Sequence, residues 1–242
     1  VVSTSSIMAK PEVKNVYNAV PTADSKRALV LNYLKEKNGN IVVVFDVARK
    51  ESRAYLSNKA PNAKFVEVNK RGTFNPDDLV AQLDANKVNY VILESEKNSV
   101  FLSTTNTLLG QLSNYDIQLV LLDKSLIPDT DEVSKKRFVI LQMLYPSFSP
   151  IIESSQAARF MKSYRKAFSI DPSETVQIGF DLIYDTLLRS SQADSFEVSA
   201  QQEVTEYTTL KFQYTPNQLG GYDNTGLYMI QYKSDGSLKE IK

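Results

Sequence analysis

Acidic residues close three apolar segments of this chain: Ile41–Asp46, Tyr90–Glu94 and Ile117–Asp123. Carboxylates at these positions can accept hydrogen bonds from a ligand ammonium or from sugar hydroxyls. Arg49 follows the first segment, and a guanidinium can pair with a ligand carboxylate through two parallel hydrogen bonds. These residue types therefore fit the binding of a small polar molecule.

The composition disfavours most catalytic chemistry. The chain has no Cys and no His, which removes Ser/His/Asp and Cys/His nucleophiles and the common zinc sites. It has eight glycines, and they form neither a G-x-G-x-x-G turn nor a P-loop that would bind phosphates. Carboxylate, Lys and Tyr chemistry remains open. We predict a non-enzymatic protein with no cofactor and no metal, and keep an enzyme on a Rossmann-like sheet as an alternative.

Charge and hydropathy exclude two further classes of partner. The 28 basic and 28 acidic residues cancel, and no basic run interleaved with aromatic residues favours nucleic acid. No apolar stretch approaches the roughly 20 residues that span a bilayer. The chain opens on Val1 in a strand-like VVSTSS segment, which suggests a fragment or a processed form.

The elements that must position the acids read as a parallel sheet. The three apolar segments are continuous Val/Ile/Leu runs, which is typical of strands that helices cover on both faces. Helix-like stretches lie between them, and Ala23–Lys37 before the first segment ends at Asn38-Gly39. The fold class predicted is α/β, with Rossmann-like parallel sheets. Ligands of such sheets gather at the carboxyl ends of the strands.

The second half changes character after Pro128. Phe138–Leu144 reads as one more apolar strand, and Tyr145–Pro150 reads as an irregular crossing between domains. Helices are predicted over Glu153–Phe168 and Ser173–Arg189, and period-two strands begin near Glu206. An apolar stripe on the second helix is predicted to pack in the core, and its members are Phe180, Ile183, Tyr184, Leu187 and Leu188.

Several motifs of this half resemble those of one protein family. They are Phe160-x3-Tyr164-x3-Phe168, the segment Gly179-Phe180-Asp181-x2-Tyr184-Asp185, and the closing Gly220–Gly226 turn before Leu227–Tyr232. Their order resembles the type I periplasmic solute-binding proteins, the leucine/isoleucine/valine-binding-protein-like family. The resemblance covers nearly the whole chain.

The resemblance implies a fold of two lobes that clasp a small polar ligand and are recognised by a membrane transporter. It assigns 23–125 to the second lobe, 1–22 and 150–205 to a partial first lobe, and 126–149 and 206–242 to crossing segments and strands that return to the second lobe. The start of the first lobe is missing from this match. The implied location is the periplasm or cell envelope.

The resemblance and the strand ends together propose a ligand site. By resemblance, Ser5 and Ser6 offer hydroxyl and backbone N–H groups to a ligand carboxylate, although a Ser/Thr cluster also forms simple polar turns. The strand ends and the crossing add five candidates, each of which also has a structural interpretation as a solvated charge, a helix cap or hinge packing: Arg49, Glu94, Ser95, Lys124 and Tyr145.

One departure leaves two functions open. Relatives often have an aromatic residue and a glycine after the first strand of the second lobe, where this chain has Asp46-Val47-Ala48-Arg49. We predict an extracytoplasmic solute-binding protein that captures an amino-acid-like or similar polar ligand for a transporter or sensor. The alternative is a structural or protein-interaction scaffold that kept this fold, lost its ligand and contacts other envelope proteins.

Overall fold

The computed structural model describes residues 2–3, 15–152, 154–192, 194–218 and 220–241. It divides into two compact units, of which unit 1 comprises residues 1–26 and 147–228 and unit 2 comprises residues 27–146 and 229–242. Of the residues 206–242, which the resemblance assigns to a crossing segment and strands that return to the second lobe, those up to Tyr228 belong to unit 1 and those from Met229 to unit 2.

The strands are β1 (Val2–Ser3), β2 (Tyr17–Asn18), β3 (Asn40–Asp46), β4 (Lys64–Val68), β5 (Asn89–Glu94), β6 (Ile117–Val120), β7 (Leu144–Ser147), β8 (Thr205–Glu206), β9 (Lys211–Phe212), β10 (Tyr214–Pro216), β11 (Tyr222–Asn224), β12 (Tyr228–Tyr232) and β13 (Leu238–Ile241). The helices are α1 (Ala23–Lys37), α2 (Lys50–Lys59), α3 (Pro76–Val80), α4 (Asn98–Leu109), α5 (Lys136–Ile140), α6 (Ser155–Phe168), α7 (Glu174–Ser190) and α8 (Phe196–Gln202).

A seven-stranded sheet forms the centre of unit 2, in the order β13-β12-β7-β6-β5-β3-β4. The strands from β7 to β4 run parallel, and β12 and β13 pair antiparallel. Most apolar side chains of β3, β5 and β6 are buried, and Val43, Ile92 and Val120 are 0% exposed. The α/β class with a Rossmann-like parallel sheet is therefore confirmed, and the apolar runs are strands covered on both faces.

The segment Phe138–Leu144, predicted as a strand, is not one. Residues up to Ile140 form α5, and a turn follows in which Gln142 has a φ of 44° and the Met143 N–H donates to the Phe138 carbonyl at 2.8 Å. Phe138 and Leu141 are buried at helical spacing, while Ile140 is exposed. A short apolar run fits either period, and here the period of the helix prevails.

Unit 1 contains a four-stranded sheet in the order β1-β2-β11-β10 and a separate β8-β9 pair. Its core is rich in aromatic rings, and Tyr17 stacks on Tyr222 with centroids 4.7 Å apart and an interplanar angle of 6°. Ser154 and Ser173 cap the two long helices α6 and α7 by accepting backbone N–H bonds. Both helices begin within two residues of the predicted positions.

The predicted core stripe of α7 is wrong for most of its members. Ile183 and Leu187 are 62% and 63% exposed, and Tyr184 and Leu188 are also exposed. The buried face instead carries three ionisable residues, which are Asp181, Asp185 and Arg189. These side chains bond backbone and hydroxyl groups of residues 199–210, and that requirement overrides the hydrophobic pattern.

Candidate functional site

The carboxyl edge of the unit 2 sheet brings β3 and β5 side by side. Phe45 pairs with Glu94 in parallel register, so the residues that follow them, Asp46 and Ser95, are neighbours. The Ser95 hydroxyl donates to Asp46 Oδ2 at 3.4 Å. The turn after β3 is closed by the Arg49 N–H, which donates to the Asp46 carbonyl at 2.8 Å. This turn sets Arg49 at the same edge of the sheet.

Asp46 anchors the first half of a charged cluster at this edge. Lys97 Nζ lies 2.7 Å from Asp46 Oδ2, and the Ala48 N–H donates to Asp46 Oδ1 at 3.0 Å. Burial raises the pKa of the Asp46 carboxyl, but the hydrogen bonds from Lys97 and Ala48, the Lys97 charge and the Ser95 hydroxyl outweigh it and hold that pKa below its ordinary value. Asp46 is therefore an anion at neutral pH.

Arg49 anchors the second half of the cluster by bridging two glutamates. Its Nε donates to Glu94 Oε1 at 2.7 Å, and its Nη1 donates to Glu96 Oε1 at 2.6 Å. The side chain of Glu94 is 1% exposed, that of Arg49 is 24% exposed and that of Glu96 is 78% exposed. The guanidinium thus joins one buried and one solvated carboxylate.

The other oxygen of Glu94 has no partner among the residues that the structure describes. Glu94 Oε2 is buried and accepts no hydrogen bond from any described residue, and it is the one carboxylate oxygen with this property in the described part of the chain. Leaving a buried acceptor unsatisfied costs about 1–3 kcal/mol, and more when it is charged. A donor from outside the protein would remove this cost.

The five charged side chains of this edge do not cancel. We define the strand-edge cluster as Asp46, Arg49, Glu94, Glu96 and Lys97, together with the Ser95 hydroxyl. Three carboxylates stand against one guanidinium and one ammonium, which leaves one negative charge. Both cations of the strand-edge cluster are paired at 2.7 Å or less, whereas the buried Glu94 keeps a free oxygen.

The structure brings three of the predicted site residues together, namely Arg49, Glu94 and Ser95. Lys124 begins a short 3-10 turn at the end of the next strand, is exposed, and forms no ion pair with another described residue. Ser5 and Ser6 lie outside the described residues.

Tyr145 is buried in the core of unit 2. It is 5% exposed, and its ring centroid lies 6.3 Å from that of Tyr232. Burial, with a smaller contribution from Tyr232, raises the pKa of Tyr145 to about 12. The hydroxyl therefore stays protonated at neutral pH, and the ring packs in the core.

Lys97 is the cluster member that sequence reasoning missed. It follows β5 by three residues, and its backbone N–H donates to Ser95 Oγ at 3.2 Å just before α4 begins. The signal was available, because Asp46 closes the adjacent strand and its carboxylate needs a cation at the same edge. Across the described residues, no group of three acids, His or Cys is arranged to hold a metal ion.

Comparisons with known proteins find similarity in the fold rather than in the sequence. No protein-family model and no curated protein matches this sequence. Among solved structures, an ABC transporter substrate-binding protein from Desulfitobacterium hafniense in complex with Leu matches with a TM-score of 0.56 and 13% identity over 93% of this chain and 67% of its own. A branched-chain amino acid ABC transporter periplasmic ligand-binding protein from Burkholderia xenovorans matches with a TM-score of 0.59 and 9% identity over 95% of this chain and 64% of its own.

A third neighbour extends the range of proteins that share the fold. Full-length LpoA from Haemophilus influenzae matches with a TM-score of 0.54 and 12% identity over 97% of this chain and 41% of its own. The type I periplasmic-binding-protein fold is therefore shown for this chain, as the resemblance implied. The chain spans about two thirds of the length of the two substrate-binding proteins. No helix of the described chain has the length and apolar content needed to cross a bilayer.

Proposed function

We propose that this protein is a non-enzymatic, extracytoplasmic solute-binding protein that holds a small polar molecule at the carboxyl edge of the unit 2 sheet. The observation that carries the proposal is Glu94 Oε2, a buried carboxylate oxygen with no donor among the described residues. Ligands of parallel α/β sheets bind outside the carboxyl ends of the strands, which is where Glu94 lies.

The predicted site residues have different proposed roles in binding the ligand. Glu94 accepts a hydrogen bond from the ligand, and in this structure Arg49 pairs with the same carboxylate through Oε1. Ser95 adds a hydroxyl at the end of the same strand. Lys124 lies outside the strand-edge cluster, at the end of the next strand, and its proposed role rests on that position alone. For Ser5 and Ser6 the proposed role rests on the family resemblance alone, and Tyr145 is buried next to Tyr232.

The structural neighbours support a binding role. The protein from Desulfitobacterium hafniense is in complex with Leu, and the one from Burkholderia xenovorans is a periplasmic ligand-binding component of an ABC transporter. We propose that this protein likewise works outside the cytoplasm and passes its ligand to a transporter or sensor. No step of this role requires a reaction at the strand-edge cluster.

A thermal-shift screen against amino acids, amines, small peptides, sugars and nucleosides tests the proposal. A ligand present at 100 times its dissociation constant should add about 2.7 kcal/mol to the free energy of unfolding. The shift should be lost in Glu94→Gln and kept in Glu240→Gln, which removes the same charge from an exposed position of unit 2. If no compound raises the unfolding temperature of the folded protein, the proposal is contradicted. If a compound raises it equally in Glu94→Gln, the ligand binds at a site that does not include Glu94.

A second candidate function is a protein-interaction scaffold. It is favoured by the exposed apolar side chains of Ile183 and Leu187 on α7, since exposed apolar surface marks contact sites. The adjacent α6 carries four basic residues and no acid, so the partner would be a polypeptide with an apolar stripe and acidic flanks. This candidate predicts a flat ligand screen, and binding of an acidic amphipathic peptide, measured by fluorescence anisotropy, that Ile183→Ser/Leu187→Ser abolishes.

A further inference from the structure

We infer that the strand-edge cluster selects a ligand with a cationic amine and does not require a ligand carboxylate. This inference rests on the proposed function, because it names the chemical class of the solute that the same site takes. This ligand class differs from that of the structural neighbour from Desulfitobacterium hafniense, which is in complex with Leu, a zwitterion.

A positively charged donor would stabilise the unpaired Oε2 of Glu94 better than a neutral donor would. Glu94 is 1% exposed, so its carboxylate is poorly solvated, and only its Oε1 receives compensation from Arg49. A neutral donor would satisfy the hydrogen-bonding capacity of Oε2 but leave the residual negative charge in place. An ammonium satisfies both, and a charge-assisted hydrogen bond is about twice as strong as a neutral one.

The cations of the strand-edge cluster are not free to receive a carboxylate. Lys97 Nζ lies 2.7 Å from Asp46 Oδ2, and Arg49 is held between Glu94 and Glu96. A ligand carboxylate would have to break one of these pairs and leave a buried acid without its cation. Such an uncompensated buried charge is strongly unfavourable.

The position of Arg49 suggests how an amine reaches Glu94. Arg49 is the more exposed of the two paired residues, and its second partner Glu96 is solvated. When the guanidinium moves toward solvent it keeps its bond to Glu96, so an entering ammonium can take its place beside Glu94. Arg49 is then a competitor for the amine and not a ligand-binding cation.

A matched series of probes tests the ligand class by isothermal titration calorimetry at about pH 6.5, where an α-amino group is protonated. Leucinamide is a cation, leucine a zwitterion and N-acetylleucine an anion, and all three carry the same side chain. Methylammonium serves as a cation without any side chain. We expect leucinamide or methylammonium to bind at least about tenfold more tightly than leucine, and N-acetylleucine not to bind.

Two variants separate the roles of the charged residues. Glu94→Gln should weaken binding of the cationic probe by at least about tenfold, because the buried charge pair is lost. Arg49→Met should strengthen it, because the competing cation is removed. If Glu94→Gln fails to fold by circular dichroism, the Arg49→Met result still decides, since an Arg49 that binds a ligand carboxylate would give the opposite change.

The outcomes distinguish this inference from the function on which it rests. Tighter binding of leucine than of leucinamide, loss of cation binding in Arg49→Met, or no binding of either cation would overturn the amine class. A sugar or zwitterion hit in the broader screen that needs Glu94 would then leave the solute-binding function standing. If no compound of the broader screen shifts the unfolding temperature, both the amine class and the solute-binding function are contradicted.

Discussion

Buried acids occur in both units of this protein, and they differ in how completely they are paired. In unit 1, Asp181 accepts four hydrogen bonds: from the Thr208 N–H at 2.9 Å and its hydroxyl at 2.8 Å on one oxygen, and from the Thr209 and Leu210 N–H groups at 2.7 and 2.8 Å on the other. In unit 2, the described residues donate to only one oxygen of Glu94, from Arg49 Nε to Oε1.

The pair formed by Asp185 and Arg189 completes the contrast. Arg189 Nε donates to both oxygens of Asp185 at 3.0 and 2.9 Å, and both side chains are at most 2% exposed. Arg189 also donates to the Ser199 carbonyl at 2.6 Å and to the Thr205 hydroxyl at 2.9 Å. A network in which every group is satisfied rigidifies a fold, whereas an unpaired buried acceptor is costly. Our proposal is that a ligand removes this cost at Glu94.

The largest effect is expected from Arg189→Met, which keeps the bulk of the side chain and removes its charge. It leaves Asp185 buried without its cation, so the free energy of unfolding should fall by about 4 kcal/mol. Urea denaturation measures this change. The control is Arg165→Met, which breaks the exposed pair with Asp171 and should cost no more than about 1 kcal/mol. Equal costs for the two variants would show that the buried network is not structural.

Asp181→Asn should follow in size. The amide can accept on one oxygen only, and its NH₂ group would face two backbone N–H donors that Asp181 now satisfies. We expect a loss of about 3 kcal/mol in the free energy of unfolding, again by urea denaturation. Asp194→Asn removes the same charge from an exposed position of unit 1 and should leave stability nearly unchanged. An unchanged free energy of unfolding in Asp181→Asn would contradict the structural role given to this carboxylate.

Lys97→Met should have a smaller effect that depends on pH. The Lys97 side chain is 39% exposed, so its pair with Asp46 is partly screened and should contribute about 1 kcal/mol. Because the pKa of Asp46 is lowered on folding, this stabilisation is present above the unfolded pKa of about 3.9 and is lost as pH falls through the lower folded value.

The measurement is thermal unfolding of wild type and Lys97→Met from neutral pH down to about pH 3, below the unfolded pKa. The two curves should differ at neutral pH and converge at the acidic end. Lys239→Met, which removes an exposed charge from β13, supplies the control. A difference that grows on acidification would mean that Lys97 does not act through the Asp46 carboxylate.

Glu94→Gln should have the smallest effect on stability, although Glu94 is as buried as Asp181. The amide oxygen can still accept from Arg49, and Arg49 keeps its bond to Glu96. No donor within the described residues is lost at Oε2, so the cost should stay below about 1 kcal/mol. A cost as large as that of Asp181→Asn would make Glu94 a structural residue and remove the contrast between the two units.

The central strands of the unit 2 sheet could be predicted from the sequence because β3, β5 and β6 are continuous apolar runs between helix-like stretches. Ala23–Lys37 is a helix with the predicted bounds, and β3 and β5 end at the predicted residues Asp46 and Glu94. The Asn75 side chain caps α3 by accepting from the Asp77 N–H, as Asn commonly does before a helix that begins with Pro.

Unit 1 was harder to predict because the buried face of α7 carries ionisable side chains. Apolar periodicity assigns the buried face of α7 to Ile183 and Leu187, whereas tertiary hydrogen bonds bury Asp181, Asp185 and Arg189. The partners of these residues lie 10 to 29 positions away in the chain. The same limit applies to Glu94, whose strand-end position was predicted but whose free oxygen depends on how Arg49 folds back.

We propose above that Glu94 binds a ligand through its unpaired Oε2. An NMR titration of the isotope-labelled protein with leucinamide and methylammonium tests this binding most directly. We predict saturable shifts in the backbone amide signals of Ala48, Ser95 and Lys97, with those of Thr208–Leu210 unchanged. The shifts should disappear in Glu94→Gln and persist in Glu240→Gln. Saturable shifts confined to other residues, or none at all with either cation, would contradict the account.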